Sequence, residues 1–134
     1  MSGLRHDERA RRAWLTMVAF VQQTARAAEQ DMADLPINPP QFLILTTLLR
    51  HGPLDQASLS ERCGTTAANV SQLVQKLEDA GYVARRSQGR AKLVTLTTAG
   101  EELVRLTIPR HDLFIGSRFA SLTKSELEQL QRML

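Results

Sequence analysis

A mainly helical fold carrying one small β-hairpin is what this sequence predicts, on three observations. Apolar residues recur at helical spacing through most of the 134 residues. Two of those helical patterns, DQASLSERC and TTAANVSQLVQK, are separated only by Gly64. Directly after them come two short alternating runs, YVARRS and AKLVTLT, which read as paired strands with Ser87, Gln88, Gly89 and Arg90 as the turn. Helix, helix and hairpin in that order make a winged helix-turn-helix, here with further helices on its N- and C-terminal sides.

The elements follow in order. Residues 6–32 form one long helix by period, with Trp14, Val18, Val21, Ala25 and Ala28 on one stripe and Leu15, Phe20 and Met32 widening it. That surface exceeds what a small core of its own would cover, so a counterpart in a second subunit is expected. Arg5, Arg9, Arg11 and Arg12 read as a solvated arm. Asn38-Pro39-Pro40-Gln41 starts the next helix: Asn38 caps, Pro39 suits the first helical position, Gln41 completes a capping box and Ile37 staples onto Phe42. Its inward residues are expected to be Phe42, Leu45, Leu48 and Leu49. Asp55 then caps a short helix with Ala57, Leu59 and the Arg62 stem inward, and Gly64 suits the left-handed position that ends it.

Thr65 and Thr66 supply the cap of the central helix, whose Val70, Leu73, Val74 and Leu77 make one buried stripe. Its opposite face holds Ala68, Gln72 and Gln75, flanked by Asn69, Ser71 and Lys76. Small and amide-bearing side chains let a helix approach a polar surface closely, and an amide presents donor and acceptor together, the geometry that reads adenine in the major groove. Alone, such a stripe is an ordinary solvated face. Its place as the second helix of a helix-turn-helix makes it a recognition helix. In the hairpin, Val94 and Leu96 are expected to share a face, with Lys92 near Arg85 and Arg86.

Beyond the hairpin, Thr97 or Thr98 caps a helix that Pro109 and Gly116 are expected to interrupt. Thr123 and Glu126 form a capping box for the last helix, with Leu122 facing Leu127, and its stripe of Leu127, Leu130 and Leu134 calls for a partner.

LDQASLSERCGTTAANVSQLVQKLEDAGYVARR followed by GRAKLVTLTTAGEEL resembles the multiple antibiotic resistance regulator (MarR) family of bacterial transcription factors, over the stretch from about Leu45 to Leu103. LEDAGYVARR and LTTAG are the most specific parts. The resemblance implies a dimeric repressor or activator that binds a roughly palindromic site and responds to a small effector. The family's wing usually carries Asp-x-Arg, where this chain has Gln88, Gly89 and Arg90, and the wing is shorter than usual. Many members have a base early in the recognition helix, where this chain has Ala67 and Ala68.

Charge agrees with this reading. Net charge is +3, and from Arg62 to Lys92 six bases face two acids, so that segment is +4 and the remainder −1. A basic stripe on a helix-turn-helix is an electrostatic footprint for phosphate. No apolar run approaches membrane-spanning length and no signal peptide is evident, so a soluble cytoplasmic protein is expected. The single Cys63 reads as a small core side chain. His6, His51 and His111 lack metal-ligand spacing, so no metal or cofactor is expected, and His111 is read as a surface residue. No catalytic constellation is present, so an enzyme is not expected.

The expectation is therefore one domain over 1–134, with 1–36 and 98–134 as dimerisation helices and 37–97 as the DNA-binding core. Thr65, Thr66, Ala68, Asn69, Ser71, Gln72, Gln75 and Lys76 should meet DNA from the helix, and Arg85, Arg86, Arg90 and Lys92 from the wing. The partners are double-stranded DNA with an inverted repeat and a second copy of the chain. The outcome is repression relieved by a small effector, held near Trp14, Phe42 and Phe114. The alternative is a winged helix serving as a protein-interaction module, against which the wing's four cations argue.

Overall fold

The computed structural model describes residues 2–134 and has the element order α1 (Ser2–Asp31), α2 (Pro39–His51), α3 (Gln56–Cys63), α4 (Ala67–Asp79), β1 (Val83–Gln88), β2 (Ala91–Leu96), α5 (Thr98–Arg118) and α6 (Lys124–Met133). The predicted fold class is what is found: helices with one two-stranded antiparallel hairpin. The chain divides into two compact units, Met1–Pro36 and Ile37–Leu134.

The first unit is essentially α1. It begins four residues earlier than its apolar period indicated, and Trp14, Leu15 and Val21 of its stripe are exposed. The arginines predicted as a solvated arm are exposed too, and Arg12 is paired with Glu8 at 2.9 Å across one turn.

The second unit is built around Leu45, Leu59, Val70, Val74, Leu77 and Val104, all fully buried. Local signals set its helix starts. Asn38 Oδ1 accepts from the Gln41 amide while the Gln41 side chain accepts from the Asn38 amide, both at 2.9 Å, so four-atom capping is reciprocal. In α2, Phe42, Ile44, Leu45 and Leu48 are buried, and Leu49 is only half-buried. The eight residues of α3 bury one side chain completely, Leu59, while Ala57 and Arg62, expected inward, are exposed. The helix is too short to show a full stripe, and its caps do the rest. Asp55 accepts from the Ser58 amide at 2.7 Å, and Gly64 closes the helix at φ 64°, where any side chain is strained.

The wing differs from expectation in three respects. Its turn is two residues, Gly89 and Arg90, because Gln88 pairs directly with Ala91. With Gly89 at φ 63° this is the tight turn whose twist suits an antiparallel ribbon. Register places Lys92 opposite Ser87, Arg85 opposite Val94 and Arg86 opposite Leu93, so Arg85 and Lys92 share one face and Arg86 lies on the other. Leu54 also joins Val94 through two backbone hydrogen bonds of 3.2 and 2.8 Å, tying the segment before α3 to the hairpin.

Where the hairpin returns to α5, three segments meet. Thr97 is the helix N-cap, accepting from the Gly100 amide at 3.1 Å, and its hydroxyl donates to the Gly81 carbonyl at 2.6 Å. The Thr97 amide donates to the Tyr82 carbonyl at 3.1 Å. Gly100 packs so closely on Tyr82 that a Cβ there would overlap the carbonyl oxygen and stand 2.9 Å from the carbonyl carbon. From here α5 runs unbroken through Pro109 and Gly116 for 21 residues, contrary to the predicted interruption. A helical proline removes one amide donor, to the carbonyl four residues earlier. Pro109 and Arg105 are both exposed, so water can satisfy that carbonyl. In α6 the capping box forms as predicted, and no residue is buried: Leu127, Met133 and Leu134 all face outward.

Candidate nucleic-acid interface

Helix α4, expected to be the recognition helix, is fixed from beneath by Val70, Val74 and Leu77 and from its start by Thr66, whose hydroxyl accepts from the Asn69 amide at 3.1 Å. The small face opposite is exposed at Ala67, Ala68, Asn69, Gln72, Gln75 and Lys76, with Ser71 half-buried at its edge. The predicted residues are thus brought to one surface, but their side chains are not equally available.

Asn69 donates to the Thr65 hydroxyl at 2.9 Å, so Thr65 orients the amide rather than facing outward alone. Gln75 is held at both ends, donating to Asp79 at 2.9 Å and accepting from Arg85 at 2.8 Å. Gln72 is exposed on the middle of the same face and makes no hydrogen bond to the described residues.

The wing cations divide in the same way. Arg85 turns back onto α4: its guanidinium lies 3.0 Å from one oxygen of Glu78, and its backbone amide donates to the other at 3.1 Å. Arg86, Arg90 and Lys92 are exposed. Lys92 and Arg85 line a groove of about 390 Å³ with Gln56 and Val94, on the face that register assigned them. At the end of α3, Arg62 donates to His51 Nε2 at 3.3 Å. Desolvation, then the Arg62 and Arg50 cations, hold the His51 imidazole below its usual pKa. The Ser58 amide does the same for the Asp55 carboxylate.

The residues expected to hold an effector differ in burial. Phe42 is buried, Phe114 is half-buried, and Trp14 lies exposed in the N-terminal unit. His111, expected at the surface, stands between the two phenylalanines, its ring centroid 4.5 Å from Phe42 and 6.5 Å from Phe114. No spacing rule links α2 to α5, so the place of His111 beside these two rings was invisible to the sequence. Cys63 is half-buried with its sulfur 3.6 Å from the Thr47 hydroxyl. Among the described residues, no group of three or more His, Cys, Asp or Glu is placed to hold a metal, and no helix is long and apolar enough to cross a membrane.

Residues 35–92 match the model of the MarR family. An uncharacterised HTH-type transcriptional regulator from Bacillus cereus is 25% identical over 117 residues, covering 87% of this chain and 80% of that protein. Among solved structures, BpsR from Bordetella bronchiseptica superposes with a TM-score of 0.78 at 22% identity, covering 88% of this chain and 89% of that one; it is described with the regulation of its DNA binding by 6-hydroxynicotinic acid. A mutant of MarR from E. coli, solved in complex with operator DNA, has a TM-score of 0.78 at 19% identity and covers 88% and 87%. The family and the relatives it matches are regulators, not enzymes, and the winged helix-turn-helix just described is the part of this chain that is similar to the MarR family of transcription regulators.

Proposed function

We propose that the protein is a cytoplasmic homodimeric repressor that reads an inverted repeat with α4, contacts phosphates with its wing, and releases DNA when a small effector binds. The observation that carries this reading is the exposed, unpartnered Gln72 at the centre of a small-residue helix face, with Arg86, Arg90 and Lys92 free on the adjoining hairpin. Two recognition helices related by a two-fold axis enter successive major grooves about 10 base pairs apart. Thr65, Thr66, Ala68, Asn69, Ser71 and Lys76 frame the approach, and Gln72 carries base choice. The E. coli MarR complex with operator DNA supports the docking, since the fold is shared.

Gln72→Ala is expected to cost about 1 to 3 kcal/mol on the preferred site and little on random duplex. Arg90→Ala should instead weaken both and flatten the salt dependence by about 0.9 per half-site. Binding isotherms on both duplexes at several salt concentrations separate these effects. Equal weakening of every sequence by Gln72→Ala, with altered preference from Arg90→Ala alone, would make the wing the reader.

The dimer reading rests on apolar surface that each unit leaves uncovered: Leu106, Leu113, Leu127, Met133 and Leu134 in the second unit, and Trp14, Leu15 and Val21 in the first. Sedimentation at micromolar concentration should give a dimer, and a folded, soluble monomer overturns this part. For the effector, BpsR and 6-hydroxynicotinic acid favour a small aromatic acid. The proposed wall of its site is Phe42 and Phe114 with His111 between them. A ligand there acts by favouring one spacing of the recognition helices over another.

A further inference from the structure

Resting on the DNA-binding reading above, we infer that Glu78 is a positioning residue that masks Arg85, and with it Gln75, from DNA, and so limits sequence-independent binding. Four side chains form one network across the root of the wing. Glu78 accepts from the Arg85 guanidinium at 3.0 Å and from the Arg85 backbone amide at 3.1 Å. The same guanidinium nitrogen donates to Gln75 at 2.8 Å, and Gln75 donates to Asp79 at 2.9 Å.

Phosphate binding is strengthened by counterions released when a cation neutralises a phosphate. An arginine already neutralised by a carboxylate contributes nothing of this kind unless it first leaves its partner. Leaving costs Arg85 its charge-assisted bond to Glu78 and its bond to Gln75, and uncovers a carboxylate beside the DNA. Both side chains are only partly exposed, 26% for Arg85 and 34% for Glu78, so the pair is less screened than a surface ion pair. The wing therefore offers DNA three cations, Arg86, Arg90 and Lys92, and keeps a fourth in reserve. The same network turns the Gln75 amide along the helix surface, which leaves Gln72 as the unengaged amide of the face.

Glu78→Gln tests this, because glutamine keeps an acceptor for the Arg85 backbone amide while removing the charge that holds the guanidinium. On random duplex the variant should bind up to about tenfold more tightly per half-site near 0.1 M salt, with a salt slope steeper by about 0.9 per protomer. Arg85→Ala alone should leave the slope unchanged, and adding Glu78→Gln to it should produce no further change. A flattened slope in Arg85→Ala shows that Arg85 already contacts phosphate and overturns the inference. Equal tightening by Glu78→Gln with or without Arg85 overturns it too, since a change in the general field then suffices. Wild-type protein that binds no duplex at all defeats the DNA-binding reading and this inference together. Wild-type binding that Glu78→Gln leaves unaltered defeats the inference only.

Discussion

Gly100→Ala is expected to destabilise the protein more than any other single-methyl change in the wing and its supports. The added Cβ meets the carbonyl of Tyr82, which is backbone and has no rotamer in which to escape. That carbonyl also accepts from the Thr97 amide, so moving it breaks a bond at the start of α5. Overpacking a close contact costs about 1 to 3 kcal/mol when side chains can yield, so a backbone clash should reach about 3 kcal/mol or more. For a chain of this size that corresponds to a fall of roughly 10 °C in Tm. Helix propensity predicts the opposite sign, since alanine is favoured over glycine inside a helix. A thermal melt therefore decides between them: an unchanged or raised Tm refutes the close approach.

Leu59→Ala should have a comparable effect by a different route. Leu59 is the single fully buried side chain of α3, an eight-residue helix far too short to persist without tertiary support. Its truncation should cost about 2 to 5 kcal/mol, from lost burial and the cavity left behind. Because the Asp55 and Gly64 caps hold only the ends, α3 should lose amide hydrogen-exchange protection before α2 does. The recognition helix loses its neighbour in the same event, so DNA binding should fail at temperatures where the fold survives. Uniform loss of protection across α2, α3 and α4 counts against a local role for Leu59.

These two positions show what the sequence made legible. Caps are encoded within four residues: Asn38, Asp55 and Thr123 form as their spacing indicated, and of the pairs the sequence offered, Thr66 caps rather than Thr65 and Thr97 rather than Thr98. The buried stripe of α4 is equally local, because helical period alone aligns Val70, Val74 and Leu77, although Leu73, expected in the same stripe, is only half-buried at its edge. What escaped depends on register or on packing between distant segments. Leu54 pairs as a single residue after a proline, with no alternating run to announce a strand. Arg85 counted as one more cation in a basic segment, yet the tight return after α4 sets it against Glu78 and cancels it. His111 lacked a metal-ligand partner in sequence, while the fold places it against Phe42. Gly100 stood in the segment most typical of the family, LTTAG. Its physical reason, contact with the Tyr of LEDAGYVARR, appeared only once the two segments met.

The Thr97 hydroxyl, which bonds the end of the α4 segment at Gly81 and caps α5, ties α4 to α5, the helix proposed to carry part of the dimer contact, as one lever. A straight helix of α5's 21 residues is about 31 Å long. With no loose joint at its near end, a tilt of about 6° about its far end carries that near end about 3 Å, close to the 3.4 Å rise of one base step. In the proposed dimer both levers move in opposite senses, so the half-sites seen by the two α4 helices change separation by nearly two base steps. In that proposed dimer, a tilt of a few degrees is thus enough to take the two α4 helices out of step with an operator they had fitted.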